Sequence, residues 1–177
     1  MITIRLTTWV NAPVERCFLL ATSRGFSPVV KNGVAVSDTT TQGTLKIGDE
    51  IGWKMGGTEH VSRVDAIRPY CYFREVTEAG MFRHFEHNHH FAPMDDGTRV
   101  RDEVRFSVRM GPLSKIYGAT VVRSLLMRML VDKNIELKHL AESAEWKKFV
   151  TVEVPAPARV ILPSSPPSRV SNMQRFA

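Results

Sequence analysis

Hydrophobic and polar residues alternate along short segments throughout the first 110 residues. In MITIRLTTWV, residues 1–10, Ile2, Ile4 and Leu6 share one face of a strand, while threonine and arginine fill the other. Turn residues separate six further segments of this kind, which are GVAVSD, DEIGWKM, EHVSRVDAI, CYFREVTE, MFRHFEHNHHF and TRVRDEVRFSVRM. The connections are too short for parallel crossovers, so the pattern predicts one antiparallel sheet of seven strands.

Helical patterns occur after the first strand and again after the last one. Asn11 and Pro13 suit the start of a short helix over residues 11–21, and a second short helix or a loop is expected over residues 23–32. Residues 113–146 contain no proline, and their apolar residues recur every three or four positions, as Ile116, Ala119, Val122, Leu126, Met129, Ile135, Leu137 and Leu140. That period predicts one long amphipathic helix.

The order of these elements predicts an α+β fold. A curved antiparallel sheet has one apolar face, and the long C-terminal helix is the element best placed to cover it. A strongly curved sheet that wraps on a helix leaves space between the two layers. A small apolar molecule would fit in that space.

Charge and proline content set the end of the chain apart. The formal net charge is +6, and half of it comes from Arg159, Arg169 and Arg175 in residues 155–177, a segment that contains no acid and five of the ten prolines. Such a composition supports neither helix nor central strand. We expect one domain over residues 1–150 and a disordered Pro/Ser/Arg-rich tail over residues 151–177. The remaining charge of +3 is weak support for nucleic acid, so no nucleic-acid partner is predicted.

The start of the chain and its cysteines bear on the compartment. The first ten residues lack the basic start and apolar block of a signal peptide. Cys17 and Cys71 show no metal-ligand spacing and fit a reducing compartment. We therefore expect a cytoplasmic protein.

The last predicted strand, TRVRDEVRFSVRM, alternates almost without exception. One row holds arginines, and the other holds Val100, Val104 and Phe106, which predicts one solvated and one buried face. Asp102 is the only charged residue of the buried row. An unpaired carboxylate there would cost several kcal/mol, so Asp102 is expected to have a partner.

The preceding strand holds four of the six histidines, which are His84, His87, His89 and His90. Because the row with two phenylalanines faces inward, His87 and His89 are predicted inside and the other two outside. A two-residue hairpin loop around Asp96-Gly97 places Phe91 opposite Asp102, and a four-residue loop places His89 there. Either register makes His89 and Asp102 neighbours on the inner face.

The inner patch of His87, His89 and Asp102 has four interpretations. It is a structural pair in the core, a polar anchor in a ligand cavity, a zinc or iron site, or an acid–base pair. A structural zinc site needs four ligands and a catalytic one three plus water, whereas the inner rows offer at most three. His60 would add another only if its strand turned it inward. We therefore predict no metal, and no motif calls for a cofactor.

Several segments together resemble one superfamily. They are APVERCFLLATS, TLKIGDEIGWK, GMFRHFEHNHHFAPMDDGTRVRDEVRFSVRMGPL and LLMRMLVDKNIELKHLAE. The chain resembles the SRPBCC (START-like, helix-grip) superfamily, and within it a bacterial ligand-binding, polyketide cyclase-like subgroup. The longest segment carries the most specific part of the resemblance, which covers residues 4–142.

The resemblance implies a helix-grip fold, with a seven-stranded sheet around a cavity that binds a hydrophobic, lipid- or polyketide-like molecule. The protein would act as a carrier or sensor. The alternative is a cofactor-free cyclase or dehydratase in which His89, oriented by Asp102, moves a proton. In both cases His87, His89 and Asp102 would hold the polar end of the ligand. The apolar wall would consist of Trp53, Phe73, Phe82, Phe85, Phe91, Val104, Phe106, Ile116, Val122 and Met129.

The outer row of the last strand forms a basic stripe of Arg99, Arg101, Arg105 and Arg109. A solvated sheet face explains such a row without any partner. Transient contact with an anionic membrane surface is the other interpretation, because a lipid carrier has to meet membranes.

Overall fold

The computed structural model describes residues 1–26, 43–55, 57–109 and 115–150. Its strands are β1 (Ile2–Val10), β2 (Glu50–Met55), β3 (Thr58–Arg68), β4 (Tyr72–Ala79), β5 (Phe82–Met94) and β6 (Gly97–Val108). Its helices are α1 (Val14–Ala21) and α2 (Lys115–Glu142), and a short 3-10 helix, Ala144–Lys148, follows α2.

The strands form one antiparallel sheet in the order β1-β6-β5-β4-β3-β2. Strands β2 to β6 follow one another as a meander, whereas β1 pairs with β6 from the far end of the sequence, so that Leu6 lies opposite Asp102. The predicted α+β class, with an antiparallel sheet and a long C-terminal helix, is confirmed. The described residues contain six strands rather than the expected seven, because residues 33–38, predicted as a strand, lie outside them.

Two further predictions fall wholly or partly outside the described residues. Of the segment 23–32, only residues 23–26 are described, and they form a turn and an isolated bridge between Ser23 and Thr44 rather than a helix. The tail at 151–177 also lies outside.

The N-cap of helix α1 lies two residues after Asn11, the predicted cap. Pro13 occupies the N-cap position, and no side-chain cap bond is present in this described part of the chain. Asn11 instead uses its backbone N–H, which donates to Glu142 at 2.7 Å. The helix buries Cys17 and Phe18, and Phe18 meets Phe91 edge-on at 5.5 Å between ring centroids.

Helix α2 packs on the sheet through one stripe of buried residues. Leu126, Leu130 and Leu137 repeat at helical spacing, and Asn134 continues the same stripe at 4% exposure. Ile135, which the apolar periodicity places on the buried face, is 61% exposed because it follows Asn134 by a rotation of about 100°. In the described part of the chain, no helix has the length and apolar character to cross a bilayer.

The apolar core has two clusters. The α1 cluster includes Phe18, Phe73, Phe91, Val100, Leu137 and Leu140. The Trp53 cluster includes Ile4, Trp53, Phe82, Phe85, Val104, Phe106, Val122, Leu126 and Leu130. Along β5, β6 and α2 the two clusters are separated by polar inner-face residues, so the interior consists of two apolar regions with a polar layer between them.

The hairpin between β5 and β6 sets the register of that layer. Met94 pairs with Gly97 around a two-residue loop, Asp95–Asp96, and His89 lies directly opposite Asp102. The two-residue loop is therefore one position earlier than the predicted Asp96-Gly97 turn. It pairs His89 with Asp102, which the sequence analysis expected only from a four-residue loop. A Cβ at Gly97 would overlap the carbonyl oxygen of Val10, which explains why glycine occupies the first position of β6.

Candidate functional site

A layer of ionisable and amide side chains crosses the interior between the two apolar clusters. This polar layer consists of Glu75 on β4, His87 and His89 on β5, Asp102 on β6 and Asn134 on α2. All five residues are less than a tenth exposed. Alternation along the strands turns the three strands' members inward, whereas His84 is half-buried and His90 exposed on the outer face.

Asp102 is the centre of the polar layer. Its Oδ1 lies 3.0 Å from Nε2 of His87 and 2.7 Å from Nδ1 of His89. Its Oδ2 accepts a hydrogen bond from Nδ2 of Asn134 at 2.8 Å. The same amide nitrogen donates to the carbonyl oxygen of Leu130 at 3.0 Å. Three side chains from two elements therefore donate to one buried carboxylate, as a buried charge requires.

Glu75 extends the polar layer towards the Trp53 cluster. Its Oε1 lies 3.5 Å from Nε2 of His89, and its Oε2 accepts from the hydroxyl of Ser62 at 3.3 Å. The indole N–H of Trp53 donates to Ser62 at 3.1 Å. A chain of polar contacts thus runs from Trp53 through Ser62 and Glu75 to His89 and Asp102.

Burial and hydrogen bonding act against each other on the pKa values of this layer. Burial raises the pKa of Asp102, but the bonds from His87 and His89 outweigh it and hold the pKa well below its usual range. Burial likewise opposes ionisation of Glu75, yet its contact with His89 and the charge of Lys133 lower its pKa to about 2. Burial, reinforced by the charge of His89, lowers the pKa of His87 to about 4. At neutral pH the layer therefore holds two carboxylates and a neutral His87.

Four buried polar atoms have no hydrogen-bond partner among the described residues. They are Nε2 of His89, Oδ1 of Asn134, and both ring nitrogens of His60. His60 is 1% exposed and stacks on Trp53 at 4.5 Å, so β3 does turn it inward. Its burial lowers its pKa. Each such atom costs about 1–3 kcal/mol unless a ligand or water satisfies it.

Three members of the layer are also a possible metal-ligand set. Within the described ranges, one ligand atom each of Glu75, His87 and His89 lies within 4.8 Å of the other two. Two imidazoles and a carboxylate are suitable donors for zinc or iron. However, each histidine already directs one ring nitrogen to Asp102, so the contacts present are those of a hydrogen-bonded network.

The predicted apolar wall is divided rather than continuous. Trp53, Phe82, Phe85, Val104, Phe106 and Val122 are buried in the Trp53 cluster, and Met129 packs against it half-buried. Phe73 and Phe91 belong instead to the α1 cluster, on the other side of the polar layer. The side chain of Ile116 lies outside the described residues.

A pocket of about 360 Å³ opens at the surface, away from the polar layer. It lies between the end of β1, the tip of the β5–β6 hairpin and α2, and its lining includes Trp9, Met94, Asp95 and Lys138. None of the residues predicted from the sequence to bind a ligand lines it.

Sequence reasoning missed Glu75 and Asn134. In CYFREVTE the row with Phe73 contains Glu75, so the same alternation that placed the histidines could have found it. Asn134 carried no comparable signal, because a lone asparagine in an amphipathic helix is ordinarily solvated. Its place in the buried stripe depends on the acceptor that Asp102 supplies.

The comparisons with known proteins point to one fold. No family model and no curated protein matches the sequence. The chain is similar in structure to a START superfamily protein from Mycobacterium smegmatis, at 13% identity and a TM-score of 0.56 over 78% of this chain and 98% of that one. It is similar to KanY at 16% identity and a TM-score of 0.61, over 80% and 98% of the two chains. It is also similar to the Aha1 dimer from Colwellia psychrerythraea, at 13% identity and a TM-score of 0.55, over 80% and 97%.

These identities establish the fold alone. The protein has an SRPBCC-type fold, START-like with a sheet gripping a long helix, as the sequence resemblance implied.

Proposed function

We propose that the protein binds a hydrophobic small molecule, lipid- or polyketide-like, in a cavity between the sheet and α2, as a carrier or sensor. The observation that carries the proposal is the set of unpaired buried polar atoms, Nε2 of His89 and Oδ1 of Asn134 among them, where the described residues supply no partner. Folds of this type are used for ligand binding, which supports the same proposal. A ligand with one polar end would satisfy those atoms and place its apolar body against neighbouring aromatic residues.

The polar layer and the Trp53 cluster would contact different parts of the ligand. His87, His89 and Asp102 would hold the polar end. Trp53 and Phe85 lie next to the layer and would contact the apolar part, their rings being 5.6 Å apart. Burial of apolar area would supply most of the affinity, and the polar layer would fix the orientation.

Native mass spectrometry of the full chain after incubation with a lipid or polyketide extract tests the proposal. The wild-type protein should retain a small molecule, and His89→Ala should retain less. His90→Ala is the matched control, because His90 lies next in the chain but is exposed on the outer face. A wild-type chain that retains no molecule from either extract would overturn the proposal.

A second candidate function is a cofactor-free cyclase or dehydratase. The specific observation in its favour is that Asp102 lies 2.7 Å from Nδ1 of His89, while Nε2 of the same ring has no hydrogen-bond partner in the described structure. An imidazole oriented by a carboxylate is the arrangement used to transfer protons. With a ligand in hand, His89→Ala would abolish turnover and spare much of the affinity in an enzyme. In a carrier it would alter affinity alone.

Contact with an anionic membrane surface is the remaining part of the proposal. The outer row of β6 includes Arg101 and Arg105, but Glu103 lies between them, 3.5 Å and 2.6 Å away, and also binds Arg5 at 2.6 Å. Glu103 thus offsets part of the charge of the stripe. Flotation with anionic and with neutral vesicles decides the matter: preferential recovery with anionic vesicles supports membrane contact, and equal recovery removes it.

A further inference from the structure

Within the described residues, the polar layer contains an unpaired acceptor of hydrogen bonds, Oδ1 of Asn134. Asp102 is ionised and can only accept, so Nδ1 of His89 carries the proton of their 2.7 Å contact. Asn134 uses its amide nitrogen on Asp102 and Leu130, which leaves its oxygen as the atom without a partner among the described residues.

Glu75 adds a further acceptor at the same place. Its Oε1 is 3.5 Å from Nε2 of His89, a distance too long for a good hydrogen bond between them. A hydrogen-bond donor of a ligand at this place would reach Oε1 of Glu75. Oε1 of Glu75 and Oδ1 of Asn134 are therefore two acceptors in this part of the interior.

The charges near this place disfavour an anion. Glu75 and Asp102 are both negative at neutral pH, and His87 is neutral. A ligand carboxylate would bring a third negative charge next to these two carboxylates. Because the site is buried, such an imbalance is screened far less than at a surface.

We infer that the polar end of the ligand is a hydroxyl group, of an alcohol or a phenol, and not a carboxylate or a phosphate. The hydroxyl hydrogen is donated to Oδ1 of Asn134 or to Oε1 of Glu75, and the group adds no charge to the interior. This inference rests on the proposed function and names the class of molecule that the same site takes.

The test compares three forms of one scaffold by isothermal titration calorimetry of the full chain. The first scaffold is linear, as 1-dodecanol, methyl dodecanoate and dodecanoate, and the second is fused-ring, as 2-(2-naphthyl)ethanol, methyl 2-naphthylacetate and 2-naphthylacetate. On the scaffold that fits, the alcohol should bind about tenfold more tightly than the ester, which lacks the donor. The carboxylate should bind more weakly than both.

Glu75→Gln makes the charge argument testable on its own. It keeps the size of the side chain and removes one negative charge, so the affinity for the carboxylate should rise about tenfold relative to the alcohol. Glu86→Gln is the matched control, because Glu86 lies on the outer face of β5, and it should leave the ratio unchanged. Thermal unfolding of both variants verifies that they are folded.

The outcomes separate this inference from the proposed function. If a carboxylate or an ester binds as tightly as the alcohol, the inference fails while apolar binding stands. An unchanged preference in Glu75→Gln also overturns it. If no form of either scaffold binds, the proposed function fails and the inference fails with it.

Discussion

Nδ1 of His89 lies 2.7 Å from Oδ1 of Asp102, and the two residues are direct partners across the pairing of β5 with β6. Strand register alone brings them together, since no loop contributes a side chain to the contact. On the other side of β6, β1 places Leu6 opposite Asp102. The pair is thus held by the middle of a continuous sheet, a rigid support for a binding residue.

Removing the carboxylate of Asp102 should destabilise the fold. In Asp102→Ala the donors on His87, His89 and Asn134 lose their common acceptor while staying buried. The free energy of unfolding should fall by about 3 kcal/mol, as expected for breaking a buried, charged network. Urea denaturation at pH 7 measures it. Asp96→Ala, in the exposed hairpin loop, should change stability by less than about 0.5 kcal/mol. An equal, small effect of both substitutions would contradict the network described above.

Stability should fall as the pH is lowered from about 6.5 to about 4. The folded protein holds the pKa of His87 at about 4, whereas an unfolded chain has the ordinary value of about 6.5, so the unfolded state takes up the proton first. The contribution of His87 is fully present above the unfolded value and is lost as the pH falls to the folded one, amounting to about 3 kcal/mol.

Urea denaturation across this pH range measures that loss. His87→Phe should be less stable at pH 7, because Asp102 loses a donor, but its stability should depend less steeply on pH. If the stability of the variant and of the wild type changed equally with pH, His87 would have the same pKa in the folded and unfolded states, and the prediction would be wrong. Glu75 acts at lower pH: with a folded pKa of about 2, its contribution is present above the unfolded value of about 4.5 and is lost towards pH 2.

Gly97→Ala should disturb the contact between β6 and the end of β1. An added Cβ would overlap the carbonyl oxygen of Val10 and come within 3.0 Å of Cα of Asn11, both of them backbone atoms that cannot turn aside. We expect a loss of about 1–3 kcal/mol in urea denaturation. Gly25→Ala is the control, because the nearest atoms to its added Cβ are 3.8 Å away. Equal stability of the two variants would contradict this prediction and would mean that the backbone around Gly97 shifts to make room for the added Cβ.

The purified protein should contain no metal, although Glu75, His87 and His89 are a possible ligand set. A metal would have to compete with Asp102, whose oxygen already faces one nitrogen of each histidine. Elemental analysis of protein prepared without a histidine tag tests this. Close to one zinc or iron per chain, lost in His89→Ala, would contradict the prediction and favour a metalloenzyme.

The sequence predicted the inner and outer faces of β5 and β6 because their alternation is almost unbroken. Phenylalanines at both ends of the inner row of β5 indicated which way His87 and His89 point, and the valines of β6 did the same for Asp102. The hairpin register remained open between two alternatives. In the observed register Gly97 lies close to Val10 at the end of β1, a contact between segments distant in sequence that no local pattern reports.

The helical half of the site could not be predicted for a different reason. Apolar periodicity placed Ile135 in the buried stripe, whereas the structure buries Asn134 there and leaves Ile135 exposed. Burial of a polar side chain costs free energy unless it forms a hydrogen bond. The partner of Asn134, Asp102, lies on another element of the fold, so the helix sequence alone does not reveal it. The aromatic residues predicted as one wall belong to two clusters, because the polar layer lies between them.

The pairing of β1 with β6 also governs the order of folding. Ile2 finds its partner only at Phe106, so a chain growing on the ribosome has to hold its first strand unpaired with β6 until the last strand emerges. Pairing over so long a separation closes slowly, because the entropy of the intervening loop has to be overcome before the contacts form. Until then the apolar face of β1 and the backbone edge of β6 are open to wrong partners. Substitutions that weaken the pairing of β1 with β6, Gly97→Ala among them, should therefore lower the yield of folded protein as well as its final stability.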